Sequence, residues 1–210
     1  MSPIVPRFEF RTFAQDFGAI GQTLRERGSD PKIDGSEIEE SREVYLISRD
    51  AGNSNVKVRG GSLEIKRLIG HHANLERWTP TAKQPFPLAR DFVQAMLLPA
   101  LAVTEVLVER ESFTFRQLID DFIHPHPWLI RACVFKRRFR FQLQGCDGEI
   151  DELLINGAAI QSIAIESVDA DALLDLVNTT GLGDHEQVNY PLAIRRIVGF
   201  EPLPDEDQYG

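Results

Sequence analysis

The chain has 210 residues, of which 42% are hydrophobic and 26% are charged, a balance that is typical of a globular protein and excludes a disordered one. Because the formal net charge is −9, neither nucleic acid nor an anionic membrane is expected as a partner. The two cysteines are too few for a disulfide framework, and no signal-peptide pattern precedes Arg7, so a cytoplasmic protein is expected.

The first third of the chain is predicted to form a strand, a helix and an antiparallel meander. The opening strand covers about Ile4 to Phe13 and leads into an amphipathic helix from Ala14 to Arg27, which ends at Gly28. Short turns then separate three further predicted strands, at residues 43–48, 55–59 and 62–68. Such short connections are typical of antiparallel hairpins.

The middle of the chain is predicted to be a proline-punctuated loop followed by helical segments. A helix is expected over Leu88–Ala100, a strand near Glu105–Arg110, and a short helix capped by Thr114. Further strands are predicted at residues 130–143, 149–154 and 160–166, before a helix over residues 169–179. We therefore expect a single domain over residues 1–210, with a helical insertion around residues 80–125.

Three of these strands alternate charged and apolar side chains. In the first, Arg7, Glu9 and Arg11 share one face of the strand, because successive side chains in a strand point to opposite sides. The segments 55–59 and 136–141 repeat the arrangement, with Lys57 and Arg59 on one face of the former. In the latter, the residues on one face are Lys136, Arg138 and Arg140. The pattern predicts a sheet curled around a charged interior that suits a small polyanion, with helices covering its apolar outer face.

The order of these elements resembles the CYTH superfamily, the triphosphate tunnel metalloenzymes. The opening motif Glu-x-Glu-x-Lys of that family is similar to Arg7-Phe8-Glu9-Phe10-Arg11, and its Arg-x-Arg pair is similar to Lys57-Val58-Arg59. Further matches are a strand ending in Lys66, the arginines of residues 136–140, and a closing strand that ends in Glu166. The resemblance implies an α+β fold, a closed or nearly closed antiparallel β-barrel of about eight strands with helices packed outside.

The resemblance also implies a site and a chemistry. The implied activity is metal-dependent hydrolysis of inorganic triphosphate or a nucleoside triphosphate, with Mg²⁺ or Mn²⁺ as cofactor. The implied metal ligands are Glu9, Glu149 and Glu166, and the implied catalytic residues are Glu9, Lys57, Arg59 and Arg138. The implied substrate-binding cations are Arg11, Lys57, Arg59, Lys66, Lys136, Arg138 and Arg140.

The chain departs from the family at three carboxylate positions. Arg7 stands where the family has the first glutamate, and Ser162 and Ala164 replace two glutamates of the closing strand. Each lost carboxylate weakens a magnesium site, since this ion prefers oxygen ligands. Two alternatives to hydrolysis therefore stay open. One is a non-catalytic barrel that binds a phosphorylated or otherwise polyanionic ligand, and the other is a structural domain whose basic strands pair with acids across the barrel.

Overall fold

The computed structural model describes residues 5–29, 38–50, 52–104 and 106–202. Within them ten strands form: β1 (Arg7–Ala14), β2 (Glu39–Ser48), β3 (Ser54–Arg59), β4 (Ser62–His72), β5 (Leu75–Pro85), β6 (Leu88–Ala89), β7 (Ser112–Phe113), β8 (Leu129–Leu143), β9 (Cys146–Ile155) and β10 (Ala158–Ser167). Eight of them close into an antiparallel barrel in the order β1-β10-β9-β8-β2-β3-β4-β5, and β6 pairs with β7 outside it. The predicted fold class is confirmed.

The helices of the described chain surround or close this barrel. They are α1 (Gly18–Arg27), α2 (Arg90–Phe92), α3 (Leu98–Ala100), α4 (Phe115–Leu118), α5 (Ala170–Thr179) and α6 (Tyr190–Ile197). A π-helical turn, Val93–Leu97, joins α2 to α3, and a second one, Ile119–Ile123, continues α4. The predicted cap is confirmed, because Thr114 and Gln117 form a capping box at the start of α4. None of the helices in the described ranges is long and apolar enough to cross a bilayer.

One barrel strand was missed by the sequence analysis, and one predicted strand is wrong. The segment predicted to be a proline-punctuated loop contains β5, which accommodates Pro80 where its pairing with β4 shifts register between Ile65 and Lys66. Conversely, residues 106–110 form no strand, and Ile4 and Glu105 lie outside the described residues. Val108 of this segment is buried in the core and Leu107 is exposed, so the segment packs on the core without forming a strand.

The outer face of the barrel is apolar and lies beneath the helices, as the alternating pattern predicts. Val56, Leu63 and Ile65, from β3 and β4, pack against the helical segments between residues 90 and 123. Phe10 of β1 and Ile165 of β10 pack in a second cluster with residues of α1 and α5. Burying this face leaves the opposite, charged face of each strand directed into the barrel.

A third apolar cluster lies inside the barrel and closes one end of it. Inward-facing Tyr45, Ile47 and Val134 pack there against Tyr190 and Ile194 of α6. The helix begins after Asn189, whose side-chain oxygen accepts a hydrogen bond from the Leu192 amide. The remainder of the barrel interior is polar, and it contains the candidate site.

Candidate functional site

A polar cavity of about 360 Å³ occupies the barrel interior beside the apolar plug. Of the described residues, seven cations and five carboxylates line it. Every site residue predicted from the sequence lies there: Glu9, Arg11, Lys57, Arg59, Lys66, Lys136, Arg138, Arg140, Glu149 and Glu166. The convergence of these side chains follows from the strand alternation, and their proposed roles are taken up below.

The charges are divided between two sides of the cavity. We call the cations of β3, β4 and β8 the cationic wall: Lys57, Arg59, Lys66, Lys136, Arg138 and Arg140. We call the carboxylates of β1, β10 and β9 the acidic wall: Glu9, Glu166, Asp147 and Glu149, which line the cavity, and Asp151, which is fully buried and bonded to Arg138. The fifth lining carboxylate, Glu64, lies on β4. The acidic wall is built by strand register, because Glu9 lies opposite Glu166 and Glu166 lies opposite Asp147.

Arg11 is the buried cation of the acidic wall. Its Nε donates to Glu9 at 3.0 Å, its Nη2 donates to Glu149 at 2.6 Å, and its Nη1 lies 3.6 Å from Asp151. Nη1 also donates to the Ser162 hydroxyl at 3.0 Å. Burial lowers the pKa of Arg11, but the charges of Glu9 and Glu149 outweigh burial and raise it, so the guanidinium stays protonated.

Arg138 joins the two walls at their buried end. Its Nε lies 3.0 Å from Glu149 and 3.1 Å from Asp151, and the Tyr190 hydroxyl donates to Asp151 at 2.8 Å. Burial raises the pKa of Glu149, but Arg11 and Arg138 outweigh it and hold that pKa well below its usual range. Burial and the neighbouring Glu149 charge raise the pKa of Asp151. Each carboxylate here is therefore held in place by fixed donors.

A second buried cluster centres on Glu43, which the sequence analysis missed. Its carboxylate lies 3.1 Å from the Lys57 Nζ and 3.3 Å from the Lys136 Nζ, and it accepts a hydrogen bond from the Tyr45 hydroxyl at 3.0 Å. Burial opposes ionisation, but Lys136 and Lys57 lower the pKa of Glu43 to about 2. On the predicted strand Glu43-Val44-Tyr45-Leu46, Glu43 and Tyr45 are two residues apart and therefore share a face. That alternation is the sequence feature from which Glu43 could have been predicted to face the interior.

The cationic wall differs along its length in how completely it is neutralised. Lys57 is mostly buried, and desolvation together with the charge of Lys136 lowers its pKa to about 8 in spite of Glu43. Arg59 lies 3.3 Å from Glu64, and Arg140 lies 3.1 Å from Glu39, with both guanidinium groups more than one-third exposed. Among the described residues, Lys66 has no carboxylate within 4 Å. The outer part of this wall therefore keeps cations that an anion can reach.

The three predicted metal ligands do not fit a preformed site for Mg²⁺ or Mn²⁺. Glu9 and Glu149 accept from Arg11, and Glu166 accepts from Arg7 at 3.2 Å. No group of three or more His, Cys, Asp or Glu residues in the described part of the chain is arranged to hold a metal ion. Two unit charges 4 Å apart interact by about 4 kcal/mol in a partly screened site, so a dication would be strongly repelled by either arginine.

Asn189 and Glu76 fix the helix that closes the barrel, and the sequence analysis assigned neither of them a role. The Asn189 side chain donates to Glu76 at 2.7 Å, and the Trp78 indole donates to the same carboxylate at 3.0 Å. The sequence Asn189-Tyr190-Pro191 has the cap and early proline that mark a helix start, so it could have revealed α6.

No protein-family model and no curated protein matches the sequence. Among solved structures, the chain is similar to a conserved hypothetical protein of Pyrococcus furiosus, with 13% identity, 88% of this chain and 98% of that chain covered, and a TM-score of 0.49. It is also similar to an adenylyl cyclase candidate of Hippeastrum, described as having a dominant triphosphatase activity, with 12% identity, 94% and 98% covered, and a TM-score of 0.45.

A third similar structure is the Mimivirus capping enzyme triphosphatase, with 10% identity, 86% of this chain and 89% of that chain covered, and a TM-score of 0.41. The closed barrel is established by the strand pairing of this chain itself.

Proposed function

We propose that the barrel lumen binds a small phosphorylated polyanion of the triphosphate class against the cationic wall. The observation that carries the proposal is the convergence of Lys57, Arg59 and Lys66 from two adjacent strands on one cavity. Lys66 also has no carboxylate within 4 Å among the described residues, so its charge is available to a ligand.

The chemistry of the wall suits phosphate oxygens. Lysine presents a point charge with three donors, whereas the planar guanidinium of Arg59 or Arg140 can donate two parallel hydrogen bonds to one phosphate. An eight-stranded barrel is also of the size that can enclose one small ligand. A linear triphosphate extends along a row of cations, and Lys57, Arg59 and Lys66 on the adjacent strands β3 and β4 provide one.

Isothermal titration with sodium tripolyphosphate tests the proposal. We expect the wild-type chain to bind and the Lys66→Met variant to bind about tenfold more weakly, which corresponds to about 1.4 kcal/mol for the loss of one unscreened contact. The matched control is Lys83→Met, because Lys83 is an exposed lysine on the neighbouring strand β5 and does not line the cavity. Equal affinities in both variants would contradict the proposal. If no polyphosphate binds, the remaining alternative is a structural domain whose basic strands pair with acids across the barrel.

Hydrolysis of the bound triphosphate with Mg²⁺ or Mn²⁺ is the second candidate, and one observation favours it. Glu9 and Glu166 lie directly opposite each other on β1 and β10, and burial together with the Glu9 charge raises the pKa of Glu166. Two facing carboxylates are stabilised by a cation between them, and two carboxylates plus substrate phosphates are a ligand set that Mg²⁺ accepts.

In this second candidate Glu9, Lys57, Arg59 and Arg138 are the proposed catalytic residues, and inorganic triphosphate or a nucleoside triphosphate is the proposed substrate. The test is release of inorganic phosphate that requires added metal and is lost in Glu166→Ala but kept in Glu152→Ala, a carboxylate on the outer face of β9. Absence of phosphate release with every triphosphate and either metal would remove this candidate.

The cytoplasmic location stays a prediction.

A further inference from the structure

The acidic wall already contains cations of its own, and they come from a single strand. Arg7 and Arg11 flank Glu9 on β1, and both side chains point to the same side of the strand as Glu9. Arg11 is bonded to Glu9 and Glu149. Arg7, at the mouth of the barrel, is bonded to Asp147 and Glu166. Together the two guanidinium groups engage four of the five carboxylates of this wall.

The space that Arg11 needs is provided by a small residue on the strand between. Arg11 on β1 lies opposite Ala164 on β10, and Ala164 lies opposite Glu149 on β9. Because the Ala164 side chain is a single methyl group, the Arg11 guanidinium can extend across β10 and reach Glu149 at 2.6 Å. The small side chain of Ala164 therefore permits the Arg11–Glu149 contact, which is partly buried.

The fifth carboxylate, Asp151, is also satisfied. It accepts from Arg138 at 3.1 Å and from the Tyr190 hydroxyl at 2.8 Å. Glu149 is shared between Arg11 and Arg138, so none of the carboxylates of the wall lacks a bonded donor. A divalent cation could coordinate this wall only after displacing guanidinium groups that are themselves part of the folded structure.

We infer that the guanidinium groups of Arg7 and Arg11 act as built-in counter-ions of the acidic wall, so that the lumen binds its phosphorylated ligand without a divalent cation. The inference rests on the proposed function for the identity of the ligand. It favours polyanion binding over metal-dependent hydrolysis, the second candidate, because that hydrolysis requires the metal ion that these arginines exclude. Neutralisation of the acidic wall by fixed cations leaves Lys66, which pairs with no carboxylate of the described residues, and the exposed guanidinium groups of Arg59 and Arg140 to hold phosphate on the cationic wall.

The first test is titration of the wild-type chain with sodium tripolyphosphate in EDTA and again in excess Mg²⁺. We expect binding in EDTA that is at least as tight as binding in Mg²⁺, since Mg²⁺ only competes for the free ligand. Binding that appears only with Mg²⁺ would overturn the inference and leave the proposed function intact. Binding under neither condition would overturn the proposed function, and the metal titration described next would then decide the inference on its own.

The second test measures Mn²⁺ binding to the ligand-free chain by electron paramagnetic resonance. We expect no tight site in the wild type and at least about a tenfold gain in Mn²⁺ affinity in Arg7→Gln, which frees Asp147 and Glu166. The matched control is Arg137→Gln, because Arg137 is an equally exposed arginine that pairs with Glu152 outside the cavity. The inference is contradicted by a tight Mn²⁺ site in the wild type, or by an Arg7→Gln affinity no greater than that of the control.

Discussion

Replacing Glu43 by glutamine tests whether the buried cations of the lumen depend on this carboxylate. The pKa of Glu43 falls from its ordinary 4.5 to about 2 in the folded chain. Since each pKa unit corresponds to about 1.4 kcal/mol, the ionised carboxylate contributes about 3 kcal/mol to the free energy of unfolding at neutral pH. A second estimate of the same interaction agrees, because Glu43→Gln leaves the charges of Lys57 and Lys136 buried without their acid, and removal of one partner of a buried pair typically costs about 3–5 kcal/mol. We therefore expect a loss of about 3 kcal/mol.

Urea unfolding at several pH values measures this loss and its sign. In the wild type the contribution of Glu43 is complete above pH 4.5 and disappears as pH falls toward 2, because its folded pKa lies below its unfolded one. The variant should not show this loss of stability between pH 4.5 and pH 2. It should also recover stability as pH rises toward 10.5, starting below the pH of about 8 at which this gain begins in the wild type, because Glu43 raises the pKa of Lys57 and its loss lowers that pKa further.

The control for this experiment is Glu64→Gln, the same change of carboxylate to amide on the neighbouring strand β4. Glu64 pairs with Arg59 and Lys83, whose side chains reach solvent, so we expect a loss below about 1 kcal/mol. The reasoning is refuted if Glu43→Gln and Glu64→Gln are equally stable at pH 7. It is also refuted if Glu43→Gln loses as much unfolding free energy between pH 4.5 and pH 2 as the wild type does.

Three further predictions concern binding, a buried hydrogen bond and packing. As pH rises through about 8, Lys57 loses its proton, so the affinity for tripolyphosphate should fall relative to a Lys57→Met variant, measured by titration calorimetry; parallel pH profiles would contradict this. Tyr190→Phe removes a donor to buried Asp151 and should lower unfolding free energy by about 2 kcal/mol in urea, whereas a loss below 0.5 kcal/mol would contradict the contact. Gly148→Ala places a methyl group against the Phe141 ring and should cost about 1–3 kcal/mol by thermal unfolding, and an unchanged midpoint would contradict the packing.

The charged interior of the sheet and part of its lining could be predicted from the sequence because alternation decides which side chains share a face, whereas the closed eight-stranded barrel was implied by the resemblance to triphosphate tunnel enzymes. Glu9 and Arg11 on β1 and Lys57 and Arg59 on β3 line the lumen for this reason, with the phenylalanines and valines between them outside. The same reasoning missed β5, since prolines remove backbone donors and usually argue against a strand. Pro80 is tolerated there because it sits where the ladder with β4 changes register.

The pairing of charges inside the lumen could not be predicted from the sequence, because it depends on register between strands that are distant along the chain. Arg11 meets Glu149 only because β10 separates β1 from β9 and places Ala164 between them. From the sequence, Ala164 appeared only as a missing carboxylate. In the folded chain its small side chain makes room for the arginine, which changes what the acidic wall can bind.

A crystal structure of the chain with sodium tripolyphosphate, grown in EDTA, tests the central claim most directly. We predict phosphate density inside the barrel, within hydrogen-bonding distance of the Lys57 and Lys66 ammonium groups, with Arg11 still bonded to Glu9 and Glu149. Density that is confined to the exterior of the barrel, or a lumen in which the two lysines contact no phosphate, would contradict the account.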